Sequence, residues 1–286
     1  MIYNLSKTLV NLYIKKQHKI IFIKVFSFLL LALSSTSCST IYEEKNSIEK
    51  KYNNFNREII NNYTKAISKN PYNFFFYFER GKARQDFGDF KGAIDDFYNA
   101  FRINPDKRFL LYRANAKFDF GDYDGAIKDY KNLISMKDFK EQVFYNLASS
   151  QLINFDYEDS IVNYSKSIEY DHNDDYAYLN RGNAKFKIMD YSGSSADYSK
   201  SLEINKNSYI TLNNRGVTKF KLSQYKAALK DFEKSLKINP LNYNTIYNKS
   251  LTYFKLNENK KACIDLKKSI KLGKEVFEDE YSKICK

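Results

Sequence analysis

The chain repeats itself every 34 residues, and nothing else in the sequence limits its fold so tightly. Six copies run from residue 74 to residue 276, and the clearest is Asp175 to Ser208. With positions in a unit numbered from 1 to 34, position 8 is Gly81, Ala114, Ala148, Gly182, Gly216 and Ser250. Position 20 is Ala93, Ala126, Ser160, Ser194, Ala228 and Ala262, and position 24 is Phe97, Tyr130, Tyr164, Tyr198, Phe232 and Leu266. Small residues at 8 and 20 let two antiparallel helices approach closely, and a bulky residue at 24 fills the space beside them. The only three prolines, Pro71, Pro105 and Pro240, all fall at position 32. A residue that cannot continue a helix belongs there, just past the second helix. Each unit therefore reads as two short helices, and the chain as an all-α array whose pairs bury their apolar faces on their neighbours.

This phase of small residues, together with Gly88-Asp89-Phe90, Gly121-Asp122-Tyr123, Asn104-Pro105 and Asn239-Pro240, resembles the tetratricopeptide repeat (TPR) over residues 74–276. The resemblance implies a superhelical solenoid of antiparallel helix pairs, with a groove lined by the first helices that takes a protein partner. Two departures stand out: a base at position 7, where the family usually has Leu, and a last turn reading Asn257-Glu258-Asn259. The units divide as 74–106, 107–140, 141–174, 175–208, 209–242 and 243–276. Upstream, Ile48, Tyr52, Phe55, Ile59, Tyr63 and Ile67 recur at steps of three and four, which predicts an amphipathic helix. Its end copies a second helix, with Ala66 at position 27 and Pro71 at position 32, so residues 48–73 read as a half-repeat capping the array. Downstream, Val276, Phe277, Tyr281 and Ile284 mark a short amphipathic helix, capping the array over 277–286.

Residues 1–37 read as an export signal. Lys15 to Lys24 is basic, Val25 to Leu33 is an apolar run too short to span a bilayer alone, and Ser34 to Ser37 are small. The pattern resembles a bacterial lipoprotein signal, with Cys38 as the acylated first residue and 38–47 as a polar tether. It departs from that pattern in having Ser35, where Leu is preferred, three residues before the cysteine. Cleavage near Ser37 and release, or an uncleaved anchor extended through Ile20–Ile23, are the alternatives. Each reading places the repeats outside the cytoplasm, at a cell envelope or beyond it. Several acyl chains would anchor the protein stably.

The formal net charge is +13, of which five lysines precede Cys38, leaving about +8 on the remainder. Bases and acids are interleaved and no nucleic-acid-binding module is present, so nucleic acid is not the expected partner. Enzyme chemistry finds little to work with. The only histidines are His18 and His172, and the sequence holds neither a Cys/His cluster at metal spacing nor a phosphate-cradling glycine loop. No cofactor, metal or small-molecule substrate is expected. Cys263 and Cys285 come from helices that should run antiparallel, which allows either a disulfide or two buried thiols.

Comparison of the units with one another yields the candidate functional residues. Position 7 is Arg80, Arg113, Leu147, Arg181, Arg215 and Lys249, and position 23 is Asp96, Asp129, Asn163, Asp197, Asp231 and Asp265. The one unit that lacks the base also lacks the acid, which predicts a charge pair fixing the register of the two helices. Position 6 is Asn146, Asn180, Asn214 and Asn248 in four consecutive units. A row of amides offers donors and acceptors to the backbone of an extended peptide, and it resembles the asparagine ladder of superhelical TPR proteins. Phe186 and Phe220 at position 12 supply either apolar pockets between the amides or packing between first helices. Position 13 runs Asp86, Asp119, Ile153, Lys187, Lys221, Lys255, so the groove passes from acidic to basic. The basic half suits an acidic segment of a partner. The expected function is a non-enzymatic adaptor, and the alternative is a structural spacer or self-associating scaffold.

Overall fold

The computed structural model describes residues 38–136 and 141–285; the export signal lies outside the described residues. The described residues form helices and turns with no strand. A long helix, α1 (Cys38–Lys69), comes first. Six pairs follow: α2 (Phe74–Phe87) with α3 (Phe90–Ile103), α4 (Lys107–Phe120) with α5 (Tyr123–Ser135), and α6 (Glu141–Ile153) with α7 (Tyr157–Tyr170). The remaining pairs are α8 (Asp175–Lys187) with α9 (Tyr191–Ile204), α10 (Tyr209–Lys221) with α11 (Tyr225–Ile238), and α12 (Tyr243–Lys255) with α13 (Asn259–Lys271). A last helix, α14 (Glu278–Ile284), closes the chain. The chain divides into two compact units between Ile59 and Ile60, inside α1, and the repeats all belong to the second.

Residues 38–47, read from the sequence as a tether, are helical and continuous with the predicted capping helix. No Gly or Pro interrupts residues 38–70, so nothing in the covalent chain stops the helix from extending upstream. The end of α1 does meet the first repeat. Tyr63 packs edge-on against Phe75 with ring centroids 6.4 Å apart, and Thr64 accepts a hydrogen bond from Arg80 at 3.1 Å.

Within the second unit each second helix packs against its own first helix and the first helix of the next repeat. Successive first helices from α4 to α12 also touch one another, forming an inner layer, while the second helices lie outside. The core follows the predicted phase. Ala93, Ala126, Ser160, Ser194, Ala228 and Ala262 are fully buried, as are Phe97, Tyr164 and Phe232. A methyl group added at Gly182 would lie 2.8 Å from the Tyr198 ring, which is why the smallest residue stands there.

Every pair turns through a left-handed residue at position 15. Gly88 and Gly121 fill it in the first two repeats, and Phe155, Met189, Ser223 and Asn257, with φ between 60 and 66°, fill it in the others. A side chain costs free energy in this region that glycine does not. Met189 is also largely exposed, with little packing to lose. Met189→Gly is therefore expected to stabilise the chain by about 0.5–1 kcal/mol, to be read as a raised urea midpoint.

The charge pair is present and larger than predicted. Arg181 holds Asp197 with two parallel bonds, Nε to Oδ2 at 2.9 Å and a terminal nitrogen to Oδ1 at 2.6 Å, and Arg80, Arg113 and Arg215 repeat the fork. Lys249 meets Asp265 at 3.2 Å. A third group at position 11 joins in four repeats: Arg84, Lys117, Lys185 and Lys219 reach the same carboxylates at 2.7–2.9 Å. The third repeat replaces the whole triad with neutral groups, Leu147, Gln151 and Asn163, in which Asn163 donates to Gln151 at 2.8 Å. The arginines also bridge repeats, since Arg181 and Arg215 donate to Ser165 and Ser199 at position 25 of the preceding unit. Only the third repeat follows a lysine at that position, Lys131. An arginine at 147 would face a like charge there, which accounts for Leu147.

At the C-terminal end, α14 covers the last pair. Ile284, Val276 and Tyr281 pack with Leu266, Tyr247, Leu251 and Phe254, whereas Phe277, expected on the same face, precedes the helix and is exposed. Cys263 and Cys285 are bonded, with Sγ atoms 2.15 Å apart, so the disulfide is the one of the two sequence alternatives that the structure shows. Closing a loop of this length stabilises the cap by on the order of 3 kcal/mol.

Candidate functional site: the face of the first helices

The amide row lies on the inner layer, and its members Asn146, Asn180, Asn214 and Asn248 are all half-buried. Each uses an N–H within the protein. Asn146 Nδ2 donates to Asn115 Oδ1 at 3.0 Å and Asn214 Nδ2 to Asn183 Oδ1 at 3.1 Å. Both acceptors stand at position 9 of the preceding repeat. Where position 9 is not Asn, the bond goes to position 5 instead: Asn180 donates to the Tyr145 hydroxyl and Asn248 to Asn213 Oδ1, each at 3.1 Å. Asn183 Nδ2 to Asn180 Oδ1 at 3.2 Å, and Asn213 Nδ2 to Asn214 Oδ1 at 3.3 Å, join these into a network across repeats four to six. The row is thus tied along its length. A ligand would meet the second hydrogen of each amide, with the direction of that donor already fixed.

Buried tyrosines anchor the network from behind. Tyr130 and Tyr198 at position 24 donate to Asn115 Oδ1 at 2.6 Å and Asn183 Oδ1 at 2.8 Å, while the Tyr164 hydroxyl meets Ser149 at 2.8 Å. Burial raises the pKa of all three, that of Tyr198 to about 12, so they stand as neutral donors at ordinary pH. This pairing is written in the sequence, although the row at position 6 alone does not reveal it. Position 9 is Asn115, Ser149 and Asn183 where position 24 is Tyr, and Lys82, Val217 and Leu251 where position 24 is Phe or Leu. A buried phenol hydroxyl needs a partner, and a phenyl ring does not.

The two predicted aromatics face their own turns. Phe186 packs edge-on to Tyr191 at 5.2 Å between centroids, and Phe220 to Tyr225 at 5.4 Å. Phe118 does the same with Tyr123. Each ring meets the first residue of the second helix of its own pair. Phe220 also lines a small cleft of about 30 Å³, room for about one water, with Val217, Phe232, Leu251 and Asn248. Lys187, Lys221 and Lys255 end their helices exposed, on three successive repeats. At the other end Asp119 accepts from Gln85 at 2.7 Å, which links the first two repeats. Among the described residues no group of His, Cys, Asp and Glu could hold a metal ion.

Stacked helix pairs with tied first helices define a helical-repeat protein. Family models of the tetratricopeptide repeat match residues 209–242 and 243–273, the fifth and sixth units. Similar folds recur in solved structures. The C-terminal part of a TPR protein from Cytophaga hutchinsonii is 18% identical with a TM-score of 0.65, covering 78% of this chain and 92% of that one. YrrB, described as a TPR protein with an unusual peptide-binding site, is 16% identical with a TM-score of 0.58, covering 65% and 97%. MamA is 20% identical with a TM-score of 0.54, covering 59% and 96%. No curated protein sequence matches the chain. The fifth and sixth units match the tetratricopeptide repeat, and the chain shares the fold of solved TPR proteins.

Proposed function

We propose that this protein is an exported, membrane-tethered adaptor without enzymatic activity, which binds a protein partner along the face of its first helices. The observation that carries the reading is the row of oriented amides running beside Lys187, Lys221 and Lys255. Donors at a regular spacing suit the backbone of an extended segment, and the lysines select acidic side chains on it. The tether rests on the sequence: a basic stretch, an apolar run and small residues before Cys38, the residue we assign as the lipid attachment. Among the described residues no helix is long and apolar enough to cross a membrane. The solved YrrB structure, with its peptide-binding site, lends analogy and no residue assignments.

A second reading has its own support. The amides bond to one another, as a purely structural network would, and that favours a spacer without a peptide ligand. The test uses the exposed lysines, which leave the network intact. Cross-linked partners are identified by mass spectrometry from the membrane fraction, wild type beside Lys187→Glu/Lys221→Glu/Lys255→Glu. The adaptor reading expects a partner that is lost from the variant at low salt while helicity is unchanged. A partner set that ignores the three reversals overturns it in favour of the spacer. The same sample reports the mass of the N-terminal peptide and hence the state of Cys38.

A further inference from the structure

The charge of the repeats is strongly divided. Residues 74–208 carry 19 basic and 22 acidic side chains, and residues 209–276 carry 15 basic and 5 acidic. The excess lies on the outer layer of the last two repeats. Lys226, Lys230, Lys234 and Lys237 stand at positions 18, 22, 26 and 29 of α11, and Lys260, Lys268 and Lys271 repeat positions 18, 26 and 29 on α13. Steps of four, four and three keep each set on one face of its helix. All seven are exposed, and none takes part in an ion pair among the described residues. The acids of these helices are turned away: Asp231 is buried against Arg215 and Lys219, and Asp265 pairs inward with Lys249. Glu233 is the one exposed acid on either helix. In the earlier repeats the same four positions include Asp95, Asp124, Glu158, Glu169 and Glu203, and Lys200 there is neutralised by Glu203 at 2.6 Å.

We propose that this outer face of α11 and α13 docks on an anionic lipid bilayer. The chemistry of the patch selects that partner. Its cations are all lysine, a strongly hydrated point charge suited to a diffuse negative potential, and none is arginine, the residue for bidentate recognition of a carboxylate or phosphodiester in a protein or nucleic acid. No exposed aromatic ring lies among them to stack on a base. The exposed apolar residue at position 22 of α13 is Ile264, at 66% exposure, where α11 has Lys230. An aliphatic side chain ringed by lysines fits the boundary of headgroup and acyl chain. The surface lies on the layer opposite the amide row, so the inner face stays open while the outer face is docked. Lysines near an anionic surface each contribute a several-fold increase in binding, and the contribution fades within a Debye length as salt rises.

The test is lysine acetylation of the full chain, read by mass spectrometry, in nanodiscs of phosphatidylcholine alone and in nanodiscs containing one third phosphatidylglycerol. The expected result is that Lys226, Lys230, Lys234, Lys237, Lys260, Lys268 and Lys271 react about fivefold or more slowly in the anionic discs, with the protection lost at high salt. Lys91, Lys128 and Lys166, at matching positions of earlier repeats, serve as internal references and keep their rates. The variant Lys226→Glu/Lys234→Glu/Lys268→Glu changes exposed side chains only and should abolish the protection of the others at unchanged helicity. Equal rates in the two kinds of disc overturn the proposal. So does protection that is equally strong in detergent, which would assign the face to a second copy or another protein. Loss of the N-terminal anchor is read separately, as release of the chain from neutral discs.

Discussion

Removing both bases beside one buried aspartate, as in Arg181→Ala/Lys185→Ala, is expected to destabilise the chain by about 3–5 kcal/mol. The carboxylate of Asp197 is 5% exposed and is held by Arg181 on one side and Lys185 on the other. Either base alone leaves a partner in place, so the double variant is the informative one: it strands a charge where water cannot solvate it. The third repeat supplies the control. Arg181→Leu/Lys185→Gln/Asp197→Asn copies Leu147, Gln151 and Asn163, a neutral set that already packs in the same frame, and should cost less than about 1.5 kcal/mol. Urea unfolding measures both, and hydrogen exchange should place the loosening of the double variant in α8 and α9. A double variant within experimental error of wild type would mean that the triads do not set the register of the pairs.

Residues legible as a single-position series were read from the sequence, and residues coupled through space were not. Each repeat unit holds one helix pair, in which position 8 is small and position 24 bulky, and in the last pair a larger Ser250 at 8 goes with a smaller Leu266 at 24. The base at 7 and the acid at 23 betray their contact by vanishing together in the third repeat. The third member at position 11 escaped notice because Arg84, Lys117, Lys185 and Lys219 look like ordinary solvated charges until the fold brings them to a carboxylate. Position 9 escaped for a related reason. Asn115 and Asn183 gain meaning only with the tyrosines 15 residues later, and a search along one face of one helix does not compare those positions. The amide row was visible, but an amide has two hydrogens, and only the structure shows that one of them binds the neighbouring repeat. Nor did the polar composition of residues 38–47 reveal a helix, since it contains neither a breaker nor an apolar stripe.

The second large effect concerns the close approach of the two helices in the fifth repeat. A Cβ atom on Gly216 would lie 2.5 Å from Phe232, the tightest of the position-8 contacts, and Phe232 is itself fully buried. Gly216→Val therefore forces α10 and α11 apart or drives the ring off its rotamer, which costs about 3 kcal/mol. Glycine's poor helix propensity works the other way and returns at most about 1 kcal/mol. The sixth repeat indicates how the clash is relieved, because there the larger Ser250 faces the smaller Leu266. Phe232→Leu should accordingly destabilise the wild-type chain, by about 1–2 kcal/mol, yet rescue part of the loss caused by Gly216→Val. The coupling energy from the four unfolding curves is the measurement, and the expected sign is favourable for the double variant. Because each repeat leans only on its neighbours, the damage should stay in α10 to α12 and leave exchange protection in α2 to α5 as it was. Additive losses with no coupling would show that the glycine is there for some reason other than the ring it faces.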